Sequence, residues 1–533
     1  MEDQGQLSGG HMDDPATSRG VRAEGAARVA LVGAGPGAPD LITVRGRELL
    51  ARANTVLYDR LISHELLGLC RPDAKLINVG KHAGVHSVPQ QEINRLLMEE
   101  ALCVGAGGLV VRLKGGDPYV FGRGGEEASA LAAADIPFEV VPGVSSAVAA
   151  PAWAGIPVTD RRFASSCTVV TGHRRADGTL DIDYDALVRT RGTLVFLMGV
   201  ATMPQICAGL LTAGAAAGLP AAVVERGTSA SQRRIDGTLG GIAERARAVG
   251  VESPAVLVVG AVCALAPELD WYDRLPLRGA RVLVTRPADR AAGLVRALAG
   301  EGAAVEEFPC IETRPLPSAA KMLGRLRNFT WLVLTSTFGV RCLMDVIAAG
   351  PLDLRCLGHL RIAAIGSATA AALAAHRITA DYVPEVYDGA HLGAGLVERT
   401  DAACDRVLIF RARDSLTDLP EALERAGVPF EDVAAYETVL APVSPAPDLA
   451  RRLAAGEFDA VTFTSASTAR GFARAFPDVA PRAFTAVCLG ETTRRAAAAL
   501  GYRCVVSRAA TIESLVERTV EAIGRERGAQ GGA

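Results

Sequence analysis

The chain has 533 residues, of which 49% are hydrophobic and 22% charged, with a formal net charge of −3. At about 150 residues per domain this suggests three to four globular domains and excludes wholesale disorder. With no basic excess and only 5% aromatic residues, nucleic acid is not an expected partner.

Residues 1–27 are polar and rich in Gly, Asp and Ser, lack the apolar core of a secretory signal, and read as a disordered tail. The eleven cysteines include no C-x-x-C pair. They read as reduced thiols in a cytoplasmic protein, without a zinc ribbon. Residues 140–158 and 193–224 carry no charge, but Gly and Pro interrupt both runs. Neither is expected to span a membrane.

From Arg28 short apolar runs alternate with amphipathic segments. Strands are expected at 28–32, 55–58, 109–113 and 138–141. Helices are expected at 43–53, with Thr43 as N-cap, from a capping box at Ser87-Val-Pro-Gln90 to about Leu102, and at 123–134. This alternation predicts an α/β fold with a largely parallel sheet. A second α/β stretch covers 167–262, with two β-rich pieces around the turn-like Gly227-Thr-Ser. The domain boundary falls at 273–278, read as a linker.

The second half is internally duplicated. Val282-Leu-Val-Thr-Arg matches Val407-Leu-Ile-Phe-Arg, and Glu306–Thr313 matches Glu431–Thr438. Thr335-Ser336 matches Thr464-Ser465, and Ile365-Gly-Ser matches Leu489-Gly-Glu. The near-constant offset means two copies of one α/β unit, with a period too long for a solenoid. Two similar lobes are expected, with ligands beyond the carboxyl ends of the strands.

Gly33-Ala-Gly35-Pro-Gly37 follows the first strand, but position 38 is Ala and no acid closes the unit, so a dinucleotide site is not read. Val110–Glu127 says more. A strand ends in Gly115-Gly116, Asp117 can accept a hydroxyl or ammonium, and Arg123 can grip a carboxylate. His82 and His86 lack a third ligand nearby, so no metal is expected.

These motifs carry a resemblance. With Leu31–Gly37, Tyr58-Asp-Arg-Leu61, Val79-Gly-Lys81, Arg112–Glu127, Val140–Val144, Thr193–Gly199 and Glu225–Ser229, the stretch 29–262 resembles uroporphyrinogen-III C-methyltransferase. The duplicated half, 279 to about 523, resembles uroporphyrinogen-III synthase. The fold implied is α/β throughout: a two-subdomain tetrapyrrole methylase (28–272), then a bilobal, internally duplicated α/β synthase (279–526) and a short tail. Lobe one would combine 279–313 with 441–526, lobe two would be 314–440, and Ile311–Arg314 and Tyr436–Val439 would form a connecting ladder.

The resemblance implies S-adenosylmethionine as methyl donor, held by Pro36, Gly115, Gly116, Asp117, Val120, Ser145, Ser146, Met198 and Gly227. Asp59 would accept a proton and Lys81 donate one. Asp59 also reads as a strand-end acid paired with Arg60. The implied substrates are hydroxymethylbilane and uroporphyrinogen III, the latter with eight carboxylates. Arg60, Arg112, Arg123, Arg161 and Arg162 are candidate anchors. In the synthase half Thr335, Ser336, Ser367, Thr464, Ser465, Thr492 and Thr493 stand where strands turn into helices, and Tyr436 could protonate the leaving hydroxyl. A homodimer through the methyltransferase is implied, with no metal, nucleic acid or membrane. The second half also reads as a non-catalytic tetrapyrrole-binding module.

Overall fold

The computed structural model describes residues 25–80, 88–174, 178–441 and 447–530. The chain divides into two compact units, 1–279 and 280–533.

The first unit opens with β1 (Arg28–Gly33), β2 (Thr55–Tyr58), β3 (Lys75–Asn78), β4 (Leu109–Lys114) and β5 (Phe138–Val141). They form an all-parallel sheet in the order β3-β2-β4-β1-β5. Both faces are covered, as parallel sheets require. Val29, Leu31 and Val110 pack with Ile93, Leu97 and Leu131 on one side. Ala30, Val32 and Val111 pack with Leu49 and Leu50 on the other. Thr43 caps helix Val44–Leu50 by accepting from Gly46 N–H.

Ser87, which opens the expected capping box, lies outside the described residues. Among the described residues the helix runs Gln90–Val104, with Pro89 at its N-cap. Gln90 opens the helix and donates to Asn94 and Glu127.

The second sheet contains β6 (Cys167–Thr171), β7 (Thr193–Leu197), β8 (Pro220–Glu225), β9 (Arg233–Thr238) and β10 (Ala255–Val259), in the order β6-β7-β10-β8-β9. Only β6 and β7 pair parallel. The largely parallel sheet expected of the stretch from Arg28 is the first one; here β10 lies antiparallel between β7 and β8, and β9 antiparallel to β8. Helix Ser146–Trp153 packs Ala147 and Ala150 on one face of this sheet. After it, Trp271 meets Trp153 edge to face, and Arg278 donates to Ala230 and Gln232 carbonyls.

The second unit contains β11 (Arg281–Val284), β12 (Ala304–Glu307), β13 (Ile311–Pro315), β14 (Trp331–Leu334), β15 (Arg361–Ala364), β16 (Val407–Ala412), β17 (Phe430–Leu440), β18 (Ala460–Phe463), β19 (Thr485–Cys488) and β20 (Cys504–Val506). One sheet runs β12-β11-β18-β19-β20, the other β13-β17-β16-β14-β15. The duplicated blocks equate β11 with β16, β12 with the start of β17, β14 with β18 and β15 with β19. The copies therefore exchange halves. The first copy sends β11 and β12 to one sheet and β14 and β15 to the other, and the second copy does the reverse. The end of β17 then pairs antiparallel with β13, from Ile311–Leu440 to Pro315–Tyr436. Each lobe keeps its own apolar core, around Leu283, Val461, Phe463 and Phe472 in one and Leu332, Leu334, Leu408 and Phe410 in the other.

Among the described residues no helix is long and apolar enough to cross a membrane.

Candidate functional site

The site of the first unit is built where β1, β4 and β5 end. Gly33, Gly116 and Gly143 meet there backbone to backbone. A Cβ on Gly143 would stand 2.1 Å from Gly116 O, and one on Gly33 2.4 Å from Gly143 Cα. Gly35 and Gly116 exchange backbone hydrogen bonds of 3.2 and 2.7 Å. A Cβ on Gly116, whose φ is +67°, would meet nothing within 4 Å, so this spot opens onto free space.

Asp117 organises the cradle. Oδ1 accepts from Tyr119 and Val120 N–H at 2.8 and 3.2 Å, and Oδ2 from Gly143 N–H at 3.0 Å. The carboxylate thus closes its own loop and ties that loop to the end of β5.

The second subdomain reaches the same place. Ala38 N–H donates to Thr228 Oγ1 at 3.1 Å, joining the Pro36 loop to the turn after β8. A Cβ on Gly227 would stand 2.4 Å from Ala150 Cβ, so only glycine lets that turn lie on the helix. Ser145 caps this helix at Ala147 N–H, and Ser146 opens it. Met198 follows β7 with φ +56° and is half exposed. Because β7 and β8 both run antiparallel to β10, Met198 and Gly227 lie at the same end of the sheet. Val120 lies exposed on the Asp117 loop.

Asp59 follows β2 and stands beside Gly115. Its Oδ1 accepts from Leu61 N–H at 3.1 Å and its Oδ2 from Gly115 N–H at 3.4 Å. Its ion partner is Arg112, at 3.8 Å, rather than Arg60. Arg112 itself requires a correction. It is 3% exposed, in a strand covered on both faces, and donates to Glu127 Oε1 at 3.1 Å, so it is no surface anchor for substrate. Lys114 donates to the same oxygen at 2.9 Å. Burial, and then the Arg112 charge, pull the Lys114 ammonium below the usual lysine range. Glu127 was not singled out from the sequence.

Arg60 and Arg161 are exposed. Arg123, exposed at a helix N-cap, is paired with Glu126, and Arg162 with Asp160. Lys81, His82 and His86 lie outside the described residues. Among the described residues no three side chains are grouped to hold a metal ion.

In the second unit Tyr436, on the ladder strand, is 6% exposed, and its phenol meets Ser336 Oγ at 2.5 Å. Ser336 also caps helix Thr337–Ala349 through Gly339 N–H. Burial raises the Tyr436 pKa against the opposing pull of Ser336 and Arg290. Phe338 lies edge-on to the Tyr436 ring, and the Arg290 and Arg341 guanidiniums stand 5.7 and 4.6 Å from the Phe338 centroid. Arg290 also donates to Thr313 on the ladder. These two arginines were missed, because only block equivalence drew attention to the hydroxyls.

Ser465, after Thr464, forms a capping box with Thr468. Thr335 precedes Ser336 at the end of β14. Ser367 and Thr492 are exposed in first turns capped by Gly366 and Gly490. Thr493 is buried at 6% exposure. With Ala497 it stands on the packing side of helix Glu491–Ala499.

Comparison with known proteins agrees with this division. Residues 28–243 match the family model of tetrapyrrole (corrin/porphyrin) methylases, and 292–517 match that of uroporphyrinogen-III synthase HemD. The porphyrin biosynthesis protein HemD of Ruminiclostridium josui is 41% identical over 496 residues, covering 92% of this chain and 97% of that one. The uroporphyrinogen-III C-methyltransferase of Bacillus subtilis is 39% identical over 328 residues, covering 61% and 67%. A solved uroporphyrin-III C-methyltransferase of Thermus thermophilus, complexed with S-adenosyl homocysteine, is 40% identical and covers 44% of this chain and 92% of its own, with a TM-score of 0.38. The chain therefore belongs to the HemD porphyrin-biosynthesis family, as a bifunctional enzyme that joins a uroporphyrinogen-III C-methyltransferase to a uroporphyrinogen-III synthase.

Proposed function

We propose that the second unit closes hydroxymethylbilane to uroporphyrinogen III with inversion of ring D, and that the first unit methylates this product at C2 and C7 to give precorrin-2. The observation that carries the reading is the Gly33–Gly116–Gly143 cradle with Asp59 at its rim. Bare backbone at three strand ends, open above Gly116, suits S-adenosylmethionine as the donor.

When bound, that donor supplies a sulfonium methyl whose S–C bond breaks, its electron pair staying on sulfur, as the new C–C bond forms. The chain's part is alignment and proton removal. Pro36, Gly115, Gly116, Val120, Ser145, Ser146, Met198 and Gly227 line the donor side. Asp59 takes, on a carboxylate oxygen, the proton shed by the cationic methylated ring. Lys81, as proton donor, rests on sequence resemblance alone. Arg60, Arg123 and Arg161 receive substrate carboxylates, each charge-assisted bond contributing about 1.5–3 kcal/mol. In the synthase the Tyr436 phenol gives its proton to the departing hydroxyl, which leaves as water. Thr335, Ser336, Ser367, Thr464, Ser465 and Thr492 hold carboxylates. The same reading takes the first unit as a homodimer in the cytoplasm and needs no metal ion.

The test is to incubate the full chain with hydroxymethylbilane and S-adenosylmethionine. Type III macrocycle carrying two added methyl groups is expected by mass spectrometry and isomer analysis. Methylation of supplied uroporphyrinogen III, with only type I isomer from the bilane, would leave the second unit as a binding module.

Asp117→Ala is expected to weaken S-adenosylhomocysteine binding about tenfold by calorimetry, because three backbone N–H groups lose their acceptor and the loop loosens. Unchanged affinity would remove this loop from the donor site.

A further inference from the structure

Arg112, Lys114 and Glu127 form a buried group that the mechanism above does not use. Glu127 is fully buried, and its Oε1 alone accepts from Arg112 Nε, Lys114 Nζ and Gln90 Nε2. Its Oε2 has no hydrogen-bond partner. Arg112 is thus shared between two carboxylates at unequal range, 3.1 Å from Glu127 and 3.8 Å from Asp59. A guanidinium in contact with a carboxylate stabilises its charged form and makes it a poorer proton acceptor.

We propose that Glu127 is a positioning residue for methyl transfer: by holding Arg112 through Oε1 it keeps the guanidinium from closing on Asp59, leaving that carboxylate able to take a proton. This rests on Asp59 being the proton acceptor.

Among the described residues the charged groups around Asp59 are few. Arg112 and Lys114 face it from β4, Glu127 stands behind them on helix Gly124–Ala133, and Arg60 follows it, exposed. Without the Glu127 charge the two cations lose their shared counter-ion, and Asp59 is the carboxylate left for Arg112 to reach. Lys114, whose ammonium burial and the Arg112 charge pull below the usual lysine range, can shed its proton, whereas a guanidinium does not. Arg112 is therefore the cation that moves.

The experiment is the kcat–pH profile of Glu127→Gln in the full chain, with uroporphyrinogen III and saturating S-adenosylmethionine. The acidic limb is expected to move down by about one pH unit and the plateau to fall about tenfold, with KM for the donor little changed. Combined with Asp59→Asn, Glu127→Gln is expected to add no further loss. A lower melting temperature with an unmoved pH limb, or full additivity with Asp59→Asn, would make Glu127 structural only and overturn the proposal. If Asp59→Asn alone leaves turnover intact, it is the reading of Asp59 that fails. Should Glu127→Gln not fold, Glu127→Gln with Lys114→Met removes one charge of each sign, still frees Arg112, and is read by the same profile.

Discussion

Asp59→Asn is expected to slow methyl transfer by about 10²- to 10⁴-fold, the usual worth of a positioned acid–base group, while donor affinity changes little. The amide is nearly isosteric, and its oxygen can keep the 3.1 Å bond from Leu61 N–H. What it cannot do is accept a proton at the pH of the reaction. The contact to Gly115 N–H is long, at 3.4 Å, so its loss should disturb the glycine cradle only slightly. Single-turnover transfer and calorimetry with S-adenosylhomocysteine separate the two effects. Equal turnover in variant and parent would make Asp59 a structural acid that fixes the Leu61 turn.

Tyr436→Phe is expected to abolish most type III formation while leaving the second unit folded. The phenol is the one acidic hydroxyl on the ladder strand, and burial raises its pKa further above the ordinary tyrosine value. Its removal leaves Ser336 Oγ still bonded to Gly339 N–H, so the stability cost should be about 0.5–1.5 kcal/mol. The bilane closes without help to the uninverted isomer, so the loss should appear as a shift from type III to type I. By contrast Thr464→Ala should lower activity only a few-fold, since the helix-end hydroxyls share the grip on many carboxylates. A silent Tyr436→Phe, or a complete loss from Thr464→Ala in a folded protein, would move the chemistry elsewhere.

The elements that the sequence showed most clearly were those with one dominant local cause. Runs such as Val29–Val32 and Val110–Leu113 are buried on both faces, and only a strand in a doubly covered sheet tolerates that pattern at such short length. Strand direction left no mark: Ala255–Val259 is as apolar as β7 and β8, and nothing in its composition shows that it enters between them reversed. Arg112 was misread because charge in a strand suggests a surface. The legible signal lay further on: two basic residues in a buried strand require a buried acid, and the helix that follows carries Glu126-Glu127 in its first turn. Gly115–Gly116 was legible as the end of a strand, where close backbone approach favours glycine, whereas a role for Asp59 came only from the family resemblance. The Arg290–Phe338–Arg341 group was not, since it joins a helix start of one copy to later parts of the chain.

The exchange of halves between the two copies fixes an order of events during synthesis. The sheet of β13 to β17 is complete once Leu440 has been made, because all its strands lie between Ile311 and Leu440. The other sheet is not: Arg281 N–H waits for Asp459, 178 residues later, and β11 and β12 have no third strand until Ala460–Phe463 arrives. A long closure of this kind is slow and leaves apolar edges uncovered meanwhile. Nascent chains stalled with Leu440 outside the ribosome should therefore protect 311–440 from protease while 281–307 is cut. Only chains extended past Val506 should protect both. The lobe that begins first in the gene is the one that folds last.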